Sequence, residues 1–164
     1  MIEVRRAEPT DAAALVALAS AVSAEPEGWM IWGEWRGVGD ERRYLRAVRR
    51  HPDAAVFVAE LDGKLVGRLS LARDQNPASH HVADLGLMVD AGYRRRGVGR
   101  ALLGAAVEWA PEHGVAKLEL HVFPWNEAAI ALYERFGFKQ EGYRRAHYLR
   151  GDEYVDAILM AYLV

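Results

Sequence analysis

The stretch that most limits what this chain can fold into is Leu85 to Glu108, LGLMVDAGYRRRGVGRALLGAAVE. It reads as an apolar strand (Leu85 to Val89), a short turn (Asp90 to Tyr93), a loop holding Gly97 and Gly99 among arginines, and an amphipathic helix. A strand that hands over to a helix through glycines offers backbone N–H groups to an anion. Arg94, Arg95, Arg96 and Arg100 crowd the same helix start, a costly concentration of positive charge beside a positive dipole end unless an anion offsets it. Phosphate binding is the expected use. A Walker loop is excluded because no Gly-Lys-Ser/Thr follows, and a dinucleotide fold would need a first strand at the chain start and a parallel sheet.

The flanking sequence builds a sheet around this unit. Ile2 to Arg5 is a strand candidate, and Pro9-Thr10-Asp11 opens a helix whose Leu15, Leu18 and Val22 form an apolar stripe ending before Pro26. Glu25 to Gly39 is a loop or broken helical turn carrying Trp29, Trp32 and Trp35. Asp40 can cap a second helix with Tyr44, Leu45 and Val48 inward and Arg42, Arg43, Arg46, Arg49 and Arg50 in water; His51-Pro52 stops it. The apolar period then changes to two. Ala55 to Leu61 and Lys64 to Ala72 form a hairpin through Asp62-Gly63, and His81 to Val89 is apolar enough on both sides to lie mid-sheet. The glycine-loop helix runs from Gly99 to Trp109, broken at Pro111 and Gly114. Ala116 to Phe123 alternates as a strand, Asn126 caps a helix over Glu127 to Phe136 that ends at Gly137, and Phe138 to Arg150 with Glu153 to Leu163 make a last hairpin at Gly151-Asp152. The order predicts one α/β (α+β) domain over residues 1–164, with a single mixed, mostly antiparallel central sheet.

Composition narrows the function. A formal net charge of -2 gives no field to draw nucleic acid, so any polyanion bound should be small. The chain has no cysteine, which removes disulfides, thiolate metal sites and a cysteine nucleophile. Its start lacks the apolar core of a signal peptide and no run of about 18 apolar residues could span a bilayer, so a cytoplasmic protein without a membrane partner is expected. His80-His81 has no further ligand at metal-binding spacing, so no metal is assigned.

Downstream, Pro124-Trp125-Asn126, Tyr133 and Phe136-Gly137-Phe138 place Asn126, Ala129 and Tyr133 on one helix face. That helix follows the strand next to the glycine-loop strand, so Tyr133 comes near whatever the loop holds. Leu87-Met88-Val89 with Arg94-x-x-Gly97-x-Gly99-Arg100-Ala101-Leu102-Leu103, followed by Asn126-x-x-Ala129-x-x-Leu132-Tyr133-x-x-Phe136-Gly137-Phe138, resembles the GNAT superfamily of N-acetyltransferases. The tail Glu141-Gly142-Tyr143-Arg144, Gly151 to Asp156 and Met160-Ala161, with His81 to Asp84, resembles the bacterial L-amino-acid N-acetyltransferases within it.

The resemblance implies the GNAT fold, a sheet of six or seven strands with about four helices, splayed between the fourth and fifth strands with Gly86 as a bulge site. It implies acetyl-CoA as donor, a small-molecule primary amine as acceptor, transfer in a ternary complex without a metal, and room for a homodimer. Leu87, Met88, Val89, Arg94, Arg95, Arg96, Gly97, Val98, Gly99, Arg100, Ala101, Asn126, Ala129 and Tyr133 would then hold the cofactor. Tyr133, comparable in acidity to a thiol, would be the acid. Asp84 leads Glu119 and His121 as candidate base, with a water path as the alternative. Trp29, Trp32 and Asp84 would border the acceptor, whose carboxylate, if it is an amino acid, could fall to Arg36, Arg68, Arg73 or Arg145. Arg95 stands where family members often have glycine, with an expected effect on surface charge. The rival expectations are an acetyltransferase of protein N-terminal or lysine amines, and a non-catalytic acyl-CoA sensor.

Overall fold

A computed structural model describes residues 1–31 and 34–164; Trp32 lies outside the described residues. Seven strands form one sheet in the order β1-β2-β3-β4-β5-β7-β6, comprising β1 (Glu3–Arg6), β2 (Ala54–Leu61), β3 (Lys64–Arg73), β4 (Val82–Val89), β5 (Lys117–Val122), β6 (Lys139–Arg150) and β7 (Glu153–Leu163). Only the β4–β5 pairing is parallel; every other neighbour pair is antiparallel. The helices α1 (Ala12–Ser23) and α2 (Val38–Arg50) pack with Leu15, Leu45, Val48, Val56 and Val58 on one face. On the other face α3 (Val98–Glu112) and α4 (Glu127–Phe136) cover Leu69, Leu85, Leu102, Leu118 and Met160. No helix among the described residues is long and apolar enough to cross a membrane.

The local chemistry of the chain accounts for these elements. The β2–β3 turn needs two left-handed residues, which Asp62 (φ 54°) and Gly63 (φ 73°) supply. Pro111 does not break α3, which runs to Glu112: a proline in the last turn costs one hydrogen bond, and buried Trp109 and Ala110 hold the turn down. Asp40 is not the cap of α2. The helix starts earlier, on Gly37, and Asp40 with Glu41 occupies its first turn.

The β4–β5 ladder is three pairs long, Val82↔Lys117, Ala83↔Leu118 and Asp84↔Glu119, and ends there. Beyond it β4 keeps its β3 partner but loses β5, and a cleft opens between the two parallel strands. No bulge marks the start of the split. The β3–β4 register passes unbroken through Ser70↔Gly86, and what Gly86 provides is a close approach, since a Cβ there would lie 3.2 Å from Ser70 Oγ.

Arg95 lies in the left-handed region at φ 61°. This conformation costs a residue with a Cβ about 1–2 kcal/mol, so the departure from glycine bears on the backbone rather than on surface charge alone. Arg95→Gly should raise stability by about 1 kcal/mol, an increase in Tm of about 2–4 °C for a chain of this size, measured by thermal unfolding.

Candidate active site

The split opens into a cavity of about 950 Å³ that passes from one face of the sheet to the other. On the α3–α4 side it meets the start of α3. Gly97 (φ 88°) turns the chain so that the helix begins at the cavity wall, lined here by Gly97, Val98, Gly99 and Arg100. Gly99 is required by packing: a Cβ there would lie 2.7 Å from Leu132 Cδ2. The N–H of Ala101 already bonds Gly97 O at 3.0 Å, and neither Ala101 nor Arg96 lines this cavity. Arg96 turns instead toward Asp62 (3.7 Å) and the Tyr93 ring. Leu87, Met88 and Val89 border the cavity on the strand edge that β5 has left, although Arg94 Nε occupies Val89 O at 3.0 Å.

Arg94 itself is already paired. Its two terminal nitrogens grip Glu25 at 2.6 and 2.7 Å, which holds the Glu25 carboxyl below the usual carboxylate range, and Trp29 Nε1 donates to the same group. On the opposite wall Trp125 Nε1 donates to Glu27 O at 3.0 Å. The turn after α1 is thus fastened both to the loop following β4 and to the segment following β5. Trp29 and Trp35 line the cavity beside it.

Asn126, Ala129 and Tyr133 share the α4 face toward the cavity. Asn126 is the N-cap, accepting from Ala129 N at 3.3 Å. Tyr133 is buried at 6% exposure, and burial alone raises its phenol well above the usual value. Its proton is therefore held throughout the neutral range, and the expected match in acidity to a thiol is lost. The hydroxyl is suited to donating a hydrogen bond.

The carboxyl of Asp84 reaches the cavity at the last rung of the β4–β5 ladder. Water touches it from the cleft while protein encloses its other sides, so poor solvation, and then Glu119 opposite, push its pKa up to about 6. His121 also lines the cavity, but its Nδ1 lies 2.6 Å from the Tyr148 hydroxyl. Burial pushes Tyr148 up and His121 down, and this short hydrogen bond ties the two side chains together. Glu119 does not line the cavity. Among the described residues, Asp84 is the carboxylate that lines the cavity.

Sequence reasoning missed Tyr148 and Glu41. Tyr148 faces the site because β6 skips register between Arg144 and Tyr148, with Ala146 at φ 48° and its N–H held by Asp156 at 2.7 Å. Glu41 had a readable signal: with Leu45 and Val48 it falls at i, i+4 and i+7 on the buried stripe of α2. Among the described residues, Glu41 (0%) and Arg68 (4%) are the buried charged side chains. Of the four candidate arginines, Arg68 lines the cavity. Arg73 is bound to Asp53 and His80 O, Arg36 is paired with Glu41, and Arg145 lies exposed on β6.

The split parallel pair thus opens a cavity lined by a helix N-terminus, a carboxylate and a tyrosine. The model of the Acetyltransferase (GNAT) family matches residues 20–138. The L-amino acid N-acetyltransferase AaaT of Escherichia coli K12 is 40% identical over 111 residues, 67% of this chain and 68% of that protein. The ribosomal protein bS18-alanine N-acetyltransferase of the same strain is 47% identical over 75 residues, 46% of this chain and about half (51%) of that relative. Among solved structures, a GNAT-family acetyltransferase from Streptococcus pneumoniae superposes with a TM-score of 0.89 at 30% identity, covering 100% of this chain and 99% of that one. The chain belongs to the GNAT acetyltransferase family. It is an acetyl-CoA-dependent N-acetyltransferase.

Proposed function

We propose that the protein transfers the acetyl group of acetyl-CoA directly to the primary amine of a small molecule, with an amino acid as the leading acceptor. The observation that carries this reading is one cavity joining the α3 N-terminus, Tyr133 and Asp84 through the β4–β5 split. Acetyl-CoA, when bound, supplies a thioester that gives up its acetyl group and leaves as a thiol. The residues fit it: the backbone N–H groups of Val98, Gly99 and Arg100 at the α3 start suit its phosphates, and Arg95 and Arg100 add charge. The β4 edge at Leu87 to Val89 has lost β5, and apart from Val89 O, which Arg94 holds, its peptide groups suit an amide-bearing arm that extends the sheet as an added strand. Asn126 acts by fixing the start of α4, which sets the height of Tyr133.

Asp84 would take one proton from the acceptor's ammonium and free its lone pair to form the N–C bond; as the C–S bond breaks, the amine's second proton would pass to the leaving thiolate, whose charge the Tyr133 hydroxyl would meet as a hydrogen-bond donor. With no cysteine the chain offers no thiol to carry the acetyl group, in keeping with transfer inside a ternary complex. Trp29 and Trp35 narrow the acceptor side, which favours a small molecule over a peptide segment. Titration calorimetry with CoA tests donor binding, and a thiol-release assay over free amino acids, polyamines, aminoglycosides and peptides tests the acceptor. Absence of CoA binding at millimolar concentration would sink the reading; turnover confined to peptides would move it to protein substrates.

A further inference from the structure

Resting on the small-amine reading above, we propose that Arg68 is the anchor for a carboxylate carried by the acceptor, and that it makes the enzyme selective for amines bearing that one negative group. Arg68 stands on β3 opposite Met88, its side chain is 5% exposed, and it lines the cavity that holds Asp84 and Tyr133. Its Nε has no hydrogen-bond partner among the described residues. Glu41 Oε1 stands 4.0 Å from Nη2, beyond hydrogen-bond reach, and is itself without a partner. The other Glu41 oxygen is taken by Arg36 at 2.6 Å.

The neighbourhood therefore holds two guanidinium groups and one carboxylate. The Trp35 ring (4.8 Å) and the Tyr44 ring (5.9 Å) lie against the Arg68 cation, and the Tyr44 hydroxyl also favours its charge, but neither residue brings a full negative charge. Arg36 lies over the same two rings, at 4.7 and 4.3 Å. Two cations sharing one carboxylate, with Arg68 at 4% exposure and Glu41 no nearer than 4.0 Å, is costly unless a ligand supplies the missing charge, and a planar fork of donors matches a carboxylate. Placement agrees. Arg68, Ser70 and Asp84 follow one another on the sheet face toward α1 and α2, because Arg68 pairs with Met88, Ser70 with Gly86 and Ala72 with Asp84. An acceptor can so present its carboxylate to Arg68 and its amine toward Asp84.

The test compares each free L-amino acid with its own carboxamide, for example L-phenylalanine with L-phenylalaninamide, on the wild-type enzyme. The amide's amine is the less basic of the two, so a larger fraction of it is unprotonated at neutral pH, and a strong preference for the acid has to come from the protein. We expect the better acids to exceed their amides by about a hundredfold in kcat/KM, the range of charge-assisted hydrogen bonds. Acids, but not amides, should also raise Tm in the presence of CoA. In Arg68→Gln the ratio should fall to near one through a higher KM for the acid, with amide kinetics kept. That variant leaves Arg36 and Glu41 as a one-to-one pair, and Arg68→Lys, which keeps the charge, should retain part of the preference. Amides turned over as fast as acids by the wild type would overturn the anchor while leaving acetyl transfer to small amines in place. Equal losses for acid and amide in Arg68→Gln would reduce Arg68 to a structural residue. No turnover of any amine in the panel, with no Tm shift by acids, would overturn both readings.

Discussion

Tyr133→Phe should lower kcat by about two to three orders of magnitude and leave the Kd for acetyl-CoA unchanged. The ring stays in contact with Phe138 (5.7 Å between centroids) and inside the core, so the substitution deletes one oxygen and little packing. On the proposed mechanism it removes a hydrogen-bond donor to charge that appears only as the sulfur leaves. Such donors in enclosed sites contribute about 10²–10³ in rate. Because burial raises the phenol's pKa, Tyr133 keeps its proton across the neutral range, and no alkaline limb of the rate profile should be traceable to it. Stopped-flow acetylation set beside calorimetric donor binding separates the two effects. A variant with wild-type turnover would remove Tyr133 from the reaction.

The second large effect is at Asp84. A base with a pKa of about 6 is ionised above that value, so kcat/KM should rise with pH through about 6 and level off near neutrality. At pH 5 the ionised fraction, and the rate with it, should be about one tenth of the plateau. Asp84→Asn should flatten this limb and lower the plateau by about 10²-fold or more. Glu119→Gln should move the limb to lower pH, since Glu119 is the like charge that raises Asp84, without removing it. Stability should respond in the opposite sense. The folded-state pKa exceeds the unfolded value, so the ionised carboxylate is a burden on the fold above pH 6 and none below about pH 4. Asp84→Asn should therefore raise Tm at pH 8 and leave it unchanged at pH 4. An Asn variant with a persisting limb near pH 6 would transfer the role to another group.

Most of the architecture is written in short-range signals. The hairpin at Asp62-Gly63, the cap at Asn126, the stop at Gly137 and the turn at Gly151 each follow from one or two residues whose conformation is nearly forced. The place where the sheet splits was legible through resemblance, although its cause was not: β4 parts from β5 without the bulge expected at Gly86. The site was legible where it depends on one helix face or one strand edge. It was illegible where it depends on pairing across long sequence separations. Nothing in local sequence says that Arg94 is neutralised by Glu25, 69 residues away, or that a register skip in β6 brings Tyr148 onto His121. The ranking of the arginines likewise needed the fold, because all four have the same chemistry and only packing leaves Arg68 buried beside the cavity.

The turn after α1, fastened to Arg94 on one wall and Trp125 on the other, has a consequence for how such an enzyme can change over evolutionary time. Segments that shape an acceptor pocket are ordinarily free to drift, since altering them leaves the donor machinery alone. Here the residues flanking Trp29 also bridge the segments that follow β4 and β5, where the proposed donor site lies, through an ionic grip on one side and a neutral hydrogen bond on the other. A new amine specificity gained by lengthening or reshaping this turn would alter the spacing of those segments as well, and with it the hold on acetyl-CoA. Exchange of acceptors should proceed more readily through side chains on the sheet floor, such as Arg68 and Ser70, whose replacement leaves the bridge intact.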